Sequence, residues 1–283
     1  MIAMLFASQK YIFVALKQCA FAHKSQLAFD DSYPCGHIGA DVQGRIVGGK
    51  NVIPHSQPWM VTLSAAKYNP ASDSKQGSYG CGGTLISRRH ILSAAHCAKR
   101  CEKDSSKCED KAVNWATLGD HDKRKIDGEL YVPIIKPYHV HPKAKQHHKP
   151  YGAFVYDYAI FVMECCVTFD NFIQPICFPK EPHSNLTGNK VFVSGWGHTI
   201  YKGSPTPILK SIEIEIISDK KCAQELSGGT ISYRKNYLFC AGDTKHWDKD
   251  ACQNDSGGNT WIQIHIITFP LLMNIFVQKG LYI

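Results

Sequence analysis

The segment Asp250-Ala251-Cys252-Gln253-Asn254-Asp255-Ser256-Gly257-Gly258 sets a hydroxyl beside glycines, which allow tight turns that expose the backbone. An attacking serine needs that exposure, although Asp-Ser-Gly-Gly by itself also suits a surface turn. Attack on a carbonyl at neutral pH requires a base within hydrogen-bond reach and a third group that orients the base. Leu92-Ser93-Ala94-Ala95-His96-Cys97 supplies a histidine among small residues. Tyr156-Asp157-Tyr158-Ala159-Ile160 supplies an aspartate opening an apolar run, where a carboxylate could be buried. The chain order His96, Asp157, Ser256 is one of the orders in which a nucleophile, its base and an orienting acid occur in hydrolases.

With these segments, and with Arg45-Ile46-Val47-Gly48-Gly49, Tyr79-Gly80-Cys81-Gly82-Gly83-Thr84-Leu85-Ile86, Gln174-Pro175-Ile176-Cys177 and Ser194-Gly195-Trp196-Gly197 in the same order, the chain resembles the trypsin/chymotrypsin-like serine proteases from about Cys35 to about Gly258. The resemblance implies an all-β fold of two packed six-stranded antiparallel β-barrels with a catalytic cleft between them. It implies peptide-bond hydrolysis with His96 as base, Asp157 as its orienter and Ser256 as nucleophile. The backbone N–H groups of Asn254 and Ser256 are then the oxyanion donors. Asp250, six residues before Ser256, matches the family position at the base of the specificity pocket when basic side chains are preferred, so cleavage after Arg or Lys is expected. The bland reading of Asp250 is a solvent-facing acid beside Lys249. Cleavage after Arg45 would free the amine of Ile46 to pair with Asp255, an ion pair tolerable in the interior because both charges meet.

The elements that must hold such a site are legible only coarsely. At 283 residues, 44% hydrophobic and 20% charged, the chain can bury a substantial core and is neither disordered nor fibrous. Val191-Phe192-Val193 and the alternating Ile212-Glu213-Ile214-Glu215-Ile216 read as strands. Residues 1–22 are apolar but interrupted by Lys10 and Lys17, and read as a poor secretory signal peptide. Residues 23–45 form an expected propeptide and 46–283 the protease domain, with the family resemblance ending near residue 259.

Twelve cysteines argue for an oxidising compartment and hence for a secreted, extracellular protein. Composition leaves their pairing open. The resemblance implies Cys81 with Cys97, Cys222 with Cys240, and Cys35 with Cys177, the last tethering the propeptide after cleavage. Cys101 and Cys108 could close locally by proximity, while the partners of Cys165, Cys166 and Cys252 stay undetermined. Zinc binding by the loop thiols lacks a four-ligand spacing.

Other features carry weaker chemistry. Asp120, Asp122, Asp127 and Glu129 lie in a loop where relatives often bind calcium, but Lys123, Arg124 and Lys125 sit among them, so a solvated charged loop is favoured and no cofactor is expected. His139, His141, His147 and His148 lack a carboxylate framework for a metal. A net charge of +8 is spread over lysine and arginine clusters with no nucleic-acid-binding motif, so protein substrates and protease inhibitors are the expected partners. Asn185-Leu186-Thr187 is a candidate glycosylation site, whereas the formal sequon at Asn254 would cover the nucleophile. Trp261 to Val277 is almost uncharged, but it is short for a membrane span and carries Gln263, His265, Pro270 and Asn274, so membrane anchoring is not expected.

Departures from the family pattern bear on activity. Asn254 stands where the family has glycine, and Asn259 where it has proline. From Thr260 onward no family strand, pocket wall or terminal helix is recognisable, so the second barrel is expected to be incomplete and Cys252 loses its usual partner. Val191 and Ile262 occupy positions where many relatives carry a further disulfide. These departures support an alternative reading, a catalytically impaired homologue that acts as a binding or regulatory protein.

Overall fold

The computed structural model describes residues 35–36, 50–65, 80–101, 108–125, 128–142, 144–146, 154–177, 186–197, 205–225, 238–242, 259–264, 267–270 and 274–276. In chain order β1 (Lys50–Asn51) is followed by β2 (Met60–Ser64), β3 (Gly80–Leu85), β4 (His90–Ser93) and a single helical turn, α1 (Ala95–Ala98). Next come β5 (Lys99–Cys101), β6 (Cys108–Asp110), β7 (Trp115–Leu118), β8 (Leu130–Val140), β9 (Lys145–Gln146), β10 (Phe154–Val155) and β11 (Ala159–Met163). The second half holds β12 (Lys190–Gly195), β13 (Lys210–Ile217), α2 (Asp219–Glu225), β14 (Leu238–Gly242), β15 (Asn259–Ile264), β16 (Ile267–Pro270) and β17 (Asn274–Phe276).

β11, β4, β3, β2, β7 and β8 close into an antiparallel barrel. Its strands alternate as a closed sheet requires: Ala159, Phe161 and Met163 of β11 are buried while Ile160 and Val162 between them are only partly so. The interior is filled by Leu63, Leu85, Ile91, Leu118 and Phe161, with Trp59 beside them. Gly83 is required where β3 meets β4, because a Cβ there would lie 2.7 Å from Cγ2 of Ile91.

The second half is a seven-stranded sheet ordered β16-β15-β12-β13-β14-β17, with β1 also paired to β13. The alternation read in Ile212 to Ile216 is realised in β13, where Ile214 and Ile216 are buried and Glu215 is exposed. No barrel-closing pair occurs among its described strands. Sequence patterns gave no family strand beyond Asn259, yet the apolar and β-branched run there forms β15, which pairs antiparallel with β12 and turns back as β16. Val191 and Ile262 are direct register partners. β17 pairs with β14 in parallel, unlike the antiparallel pairs of the rest of the sheet.

A strap from Gly119 to Lys125 joins the two halves. The carbonyl of His121 accepts hydrogen bonds from the N–H of Leu209 at 3.0 Å and the indole N–H of Trp196 at 3.2 Å. The Lys123 N–H donates to the Pro207 carbonyl at 2.9 Å, and the Lys123 ammonium lies 4.7 Å from the centre of the Trp196 ring. Trp196 and Leu209 also enter the core cluster of the first barrel, so apolar burial is continuous across the junction.

Candidate active site

His96 is placed by α1, a turn whose other residues are small enough to pack against the barrel: Ala95, Cys97 and Ala98 are all buried. Cys97 is disulfide-bonded to Cys81 of β3, with Cα atoms 6.1 Å apart, so the turn is bolted to the strand beneath it. Ser93, ending β4, donates its hydroxyl to the Gly82 carbonyl at 2.7 Å and fixes the approach to the turn. Under these constraints the His96 side chain stays 29% exposed.

Asp157 meets His96 twice. Its Oδ1 accepts the backbone N–H of His96 at 2.8 Å, and its Oδ2 lies 2.7 Å from Nδ1 of the ring. The carboxylate is only 6% exposed, so this pairing occurs largely out of water. An ionised carboxylate can only accept, so Nδ1 carries the proton and Nε2 is left as the ring's acceptor. The arrangement therefore provides an oriented base. The backbone that delivers Asp157 is unusual: Tyr156 has φ 57°, and the Tyr158 N–H closes onto the Tyr156 carbonyl at 2.8 Å.

Ser256, the expected oxyanion donors Asn254 and Ser256, Asp250, Asp255, Arg45, Ile46 and the glycosylation candidate Asn185 lie outside the described residues. Flanking structure is described: Asn259, three residues after Ser256 in the sequence, opposes Ser194 in register. β15, which begins there, lies against β3, the strand that carries Cys81.

Cys35 is bonded to Cys177 with Cα atoms 5.0 Å apart, and the N–H of Gly36 donates to the Pro175 carbonyl at 2.9 Å. Cys222 of α2 is bonded to Cys240 of β14. Cys165 is disulfide-bonded, whereas Cys166 is a free thiol. Cys101 and Cys108 are register partners across β5 and β6, in a hairpin that leaves α1 directly and whose first residue, Lys99, is ion-paired with Asp110.

Metal chemistry finds little footing among the described residues. Cys81, His96 and Cys97 cluster closely, but the two sulfurs are consumed by their disulfide and offer no thiolate. In the acidic loop, Asp122 is spent on Arg124, whose Nε and Nη2 reach its two oxygens at 2.8 and 2.7 Å. That hydrogen-bonded guanidinium holds the Asp122 carboxyl down at about 2, against the opposing effect of desolvation. Glu129 accepts the Tyr131 hydroxyl at 3.0 Å, and Asp127 lies outside the described residues. The loop's internal cation thus does not fit a calcium site built on Asp122.

His139 and His141 read only as weak metal candidates; His139 lies on β8 opposite Ile160 of β11, and His141 packs against Tyr156 and Tyr158 beside the Asp157 turn. His147 and His148 lie outside the described residues. Near the strand β4, burial and the nearby charges of Arg89 and His139 lower the pKa of His90, whose Nδ1 lies 2.7 Å from the Ser87 hydroxyl.

A closed antiparallel barrel joined to a second β-sheet, with an acid-paired histidine on the first, supplies the oriented base that a hydrolase of the β-barrel class uses. The trypsin family model matches residues 46–261, and the chain belongs to that family of serine endopeptidases. It is 31% identical over 234 residues to a venom protease of Bombus pensylvanicus, covering 79% of this chain and 88% of that protein. It is 31% identical to the clotting factor G beta subunit and 29% identical to the proclotting enzyme of Tachypleus tridentatus, covering 76% and 81% of this chain. The matched part spans 64% and 58% of those two proteins, less than two thirds of each. Members of this family act on peptide bonds of proteins and need no cofactor. The disulfides fit an extracellular setting. No helix among the described residues is long and apolar enough to cross a membrane.

Proposed function

We propose that the chain is a secreted zymogen of a serine endopeptidase that cleaves after Arg or Lys. The observation that carries this reading is the buried Asp157 carboxylate holding Nδ1 of the His96 ring at 2.7 Å. His96 Nε2 takes the Ser256 hydroxyl proton as the oxygen attacks the substrate carbonyl, and the ring later delivers that proton to the leaving amine. Asp157 stays ionised and stabilises the transient imidazolium. The N–H groups of Asn254 and Ser256 receive the developing oxyanion, and a positioned donor of this kind contributes about 3 kcal/mol to the rate in other serine proteases. Water then attacks the acyl-enzyme by the reverse sequence of proton transfers.

Asp250 pairs with the cation of a substrate Arg or Lys, and a buried carboxylate left without that partner is penalised. Cleavage after Arg45 frees the Ile46 amine for Asp255. The Cys35–Cys177 bond supports a released segment that stays attached. Relatives named as a venom protease and a proclotting enzyme support the secreted, zymogen reading. Macromolecular substrates and protein inhibitors are the partners this site would take. Asn254, at a position where the family has glycine, favours the second reading of an impaired homologue that binds without cleaving.

The test is a peptide library offered to the chain after limited cleavage at Arg45–Ile46. Hydrolysis confined to bonds after Arg and Lys supports the proposal. Preference for aromatic residues removes Asp250 from the pocket, and binding without hydrolysis selects the second reading.

A further inference from the structure

The geometry points to His141 as a positioning residue for the catalytic pair, acting on Asp157 through the two tyrosines that flank it. This inference rests on the proposed proteolytic role of His96 and Asp157 and goes beyond it.

Asp157 is delivered by a backbone that does not hold itself. Tyr156 sits at φ 57°, a left-handed conformation that disfavours a bulky side chain, and the hydrogen bond from the Tyr158 N–H to the Tyr156 carbonyl at 2.8 Å spans a single residue, Asp157. Such a turn persists only where its surroundings over-determine it. Surroundings of that kind converge on His141. Its ring stacks on Tyr156 with centroids 4.7 Å apart and planes at 20°, and meets Tyr158 at 4.6 Å and 48°. Both fall in the range of favourable aromatic pairs.

His141 is itself anchored. It follows directly on β8, its N–H donates to the Tyr158 carbonyl at 3.1 Å, and its carbonyl accepts the Ala144 N–H at 2.8 Å. Next to it the ladder is regular, with Ala159 opposite Val140 and Ile160 opposite His139. One residue therefore grips both sides of Asp157, by backbone to Tyr158 and by ring to Tyr156 and Tyr158. Asp157 in turn must meet two donors of His96 at 2.8 and 2.7 Å. Rotation of the turn that satisfies one donor misplaces the other, so slack at Tyr156 or Tyr158 becomes misorientation of the imidazole. Misplacement of about 1 Å at a catalytic group can cost ~100-fold in rate.

Ring stacking is the feature that matters, so phenylalanine replaces His141 and alanine does not. The full chain cut after Arg45 is compared as wild type, His141→Phe and His141→Ala. One readout is the far-downfield proton resonance of the His96 Nδ1–H on Asp157, the other the rate at which a fluorophosphonate labels Ser256. The expected result is a resonance kept in His141→Phe and broadened or lost in His141→Ala, with labelling slowed about 10- to 100-fold in the alanine variant alone. A folded His141→Ala chain whose resonance and labelling match wild type overturns the inference, as does loss of the resonance in a folded His141→Phe chain. If wild type shows the resonance but no labelling, the proteolytic reading fails, and the comparison of resonances still decides the role of His141.

Discussion

Replacing Asp157 by asparagine keeps the size of the side chain but reverses half of its hydrogen-bonding character. The carboxylate now accepts the His96 backbone N–H at 2.8 Å through one oxygen and faces Nδ1 at 2.7 Å through the other. An amide has one acceptor and one donor end. With its oxygen toward the backbone N–H, its NH2 confronts Nδ1 and forces the ring proton onto Nε2, where it blocks acceptance of the Ser256 proton. With the amide flipped, two donors face each other at the backbone. The first orientation removes the productive tautomer, the flipped one keeps it only against that clash of donors, and both remove the negative charge that stabilises the imidazolium. The same exchange in another serine-protease triad lowers kcat about 10⁴-fold, which corresponds to ~5.5 kcal/mol of lost transition-state stabilisation. A near-isosteric change in a carboxylate that is 6% exposed leaves the barrel packing in place. The expected outcome in steady-state hydrolysis of an arginyl anilide at neutral pH is a loss of about 10³- to 10⁴-fold, carried by kcat with KM little changed. A loss below about tenfold would refute the argument that Asp157 sets the tautomer of His96.

Gly83→Ala drives a methyl to 2.7 Å from Ile91 Cγ2 in the closed barrel, so its urea midpoint falls by an amount equivalent to about 1–3 kcal/mol; an unchanged midpoint contradicts the packing described for β3 and β4. Tyr138→Phe removes a hydroxyl that accepts the Val113 N–H at 3.0 Å and lies 2.6 Å from the Val113 carbonyl, so stability drops by about 1–3 kcal/mol in chemical unfolding. Burial pushes the Tyr138 phenol up to about 12, so the wild-type absorbance titration contains a step well above the ordinary 10 that Tyr138→Phe removes. Asp122 has its folded pKa depressed to about 2 from an ordinary 3.8, so the stability it contributes is present above about pH 4 and is lost as pH falls toward 2. Thermal melts of wild type and Arg124→Gln should therefore differ at pH 6 and converge near pH 2, and a difference that persists at pH 2 would rule out the carboxylate as its source.

Local patterns carried the parts of the molecule that depend on neighbours in sequence. Ile212 to Ile216 alternates and becomes β13, and the small residues around His96 are those a turn packed on a barrel needs. The parts that escaped depend on groups distant in the chain or on backbone state. Nothing in Tyr156 announces a left-handed φ, and no spacing rule brings His141 to Tyr156 and Tyr158 across a ladder whose register is set by the whole barrel. Mixed charges in the 120–129 loop left calcium and solvation as rivals, because sequence does not say that Arg124 turns back onto Asp122. The strand β15 was obscured for the opposite reason. Family motifs stop near Asn259, whereas the apolar run that follows still pairs with β12 through Val191 and Ile262.

Covalent labelling of Ser256 tests the central claim most directly. The chain is treated with a fluorophosphonate probe before and after cleavage at Arg45–Ile46, with Ser256→Ala as the blank and Asn254→Gly as the comparison. The account predicts labelling confined to Ser256, appearing only after the cut, abolished by Asp157→Asn and accelerated by Asn254→Gly. A cleaved chain in which Ser256 stays unlabelled, with and without the Asn254→Gly exchange, would contradict it.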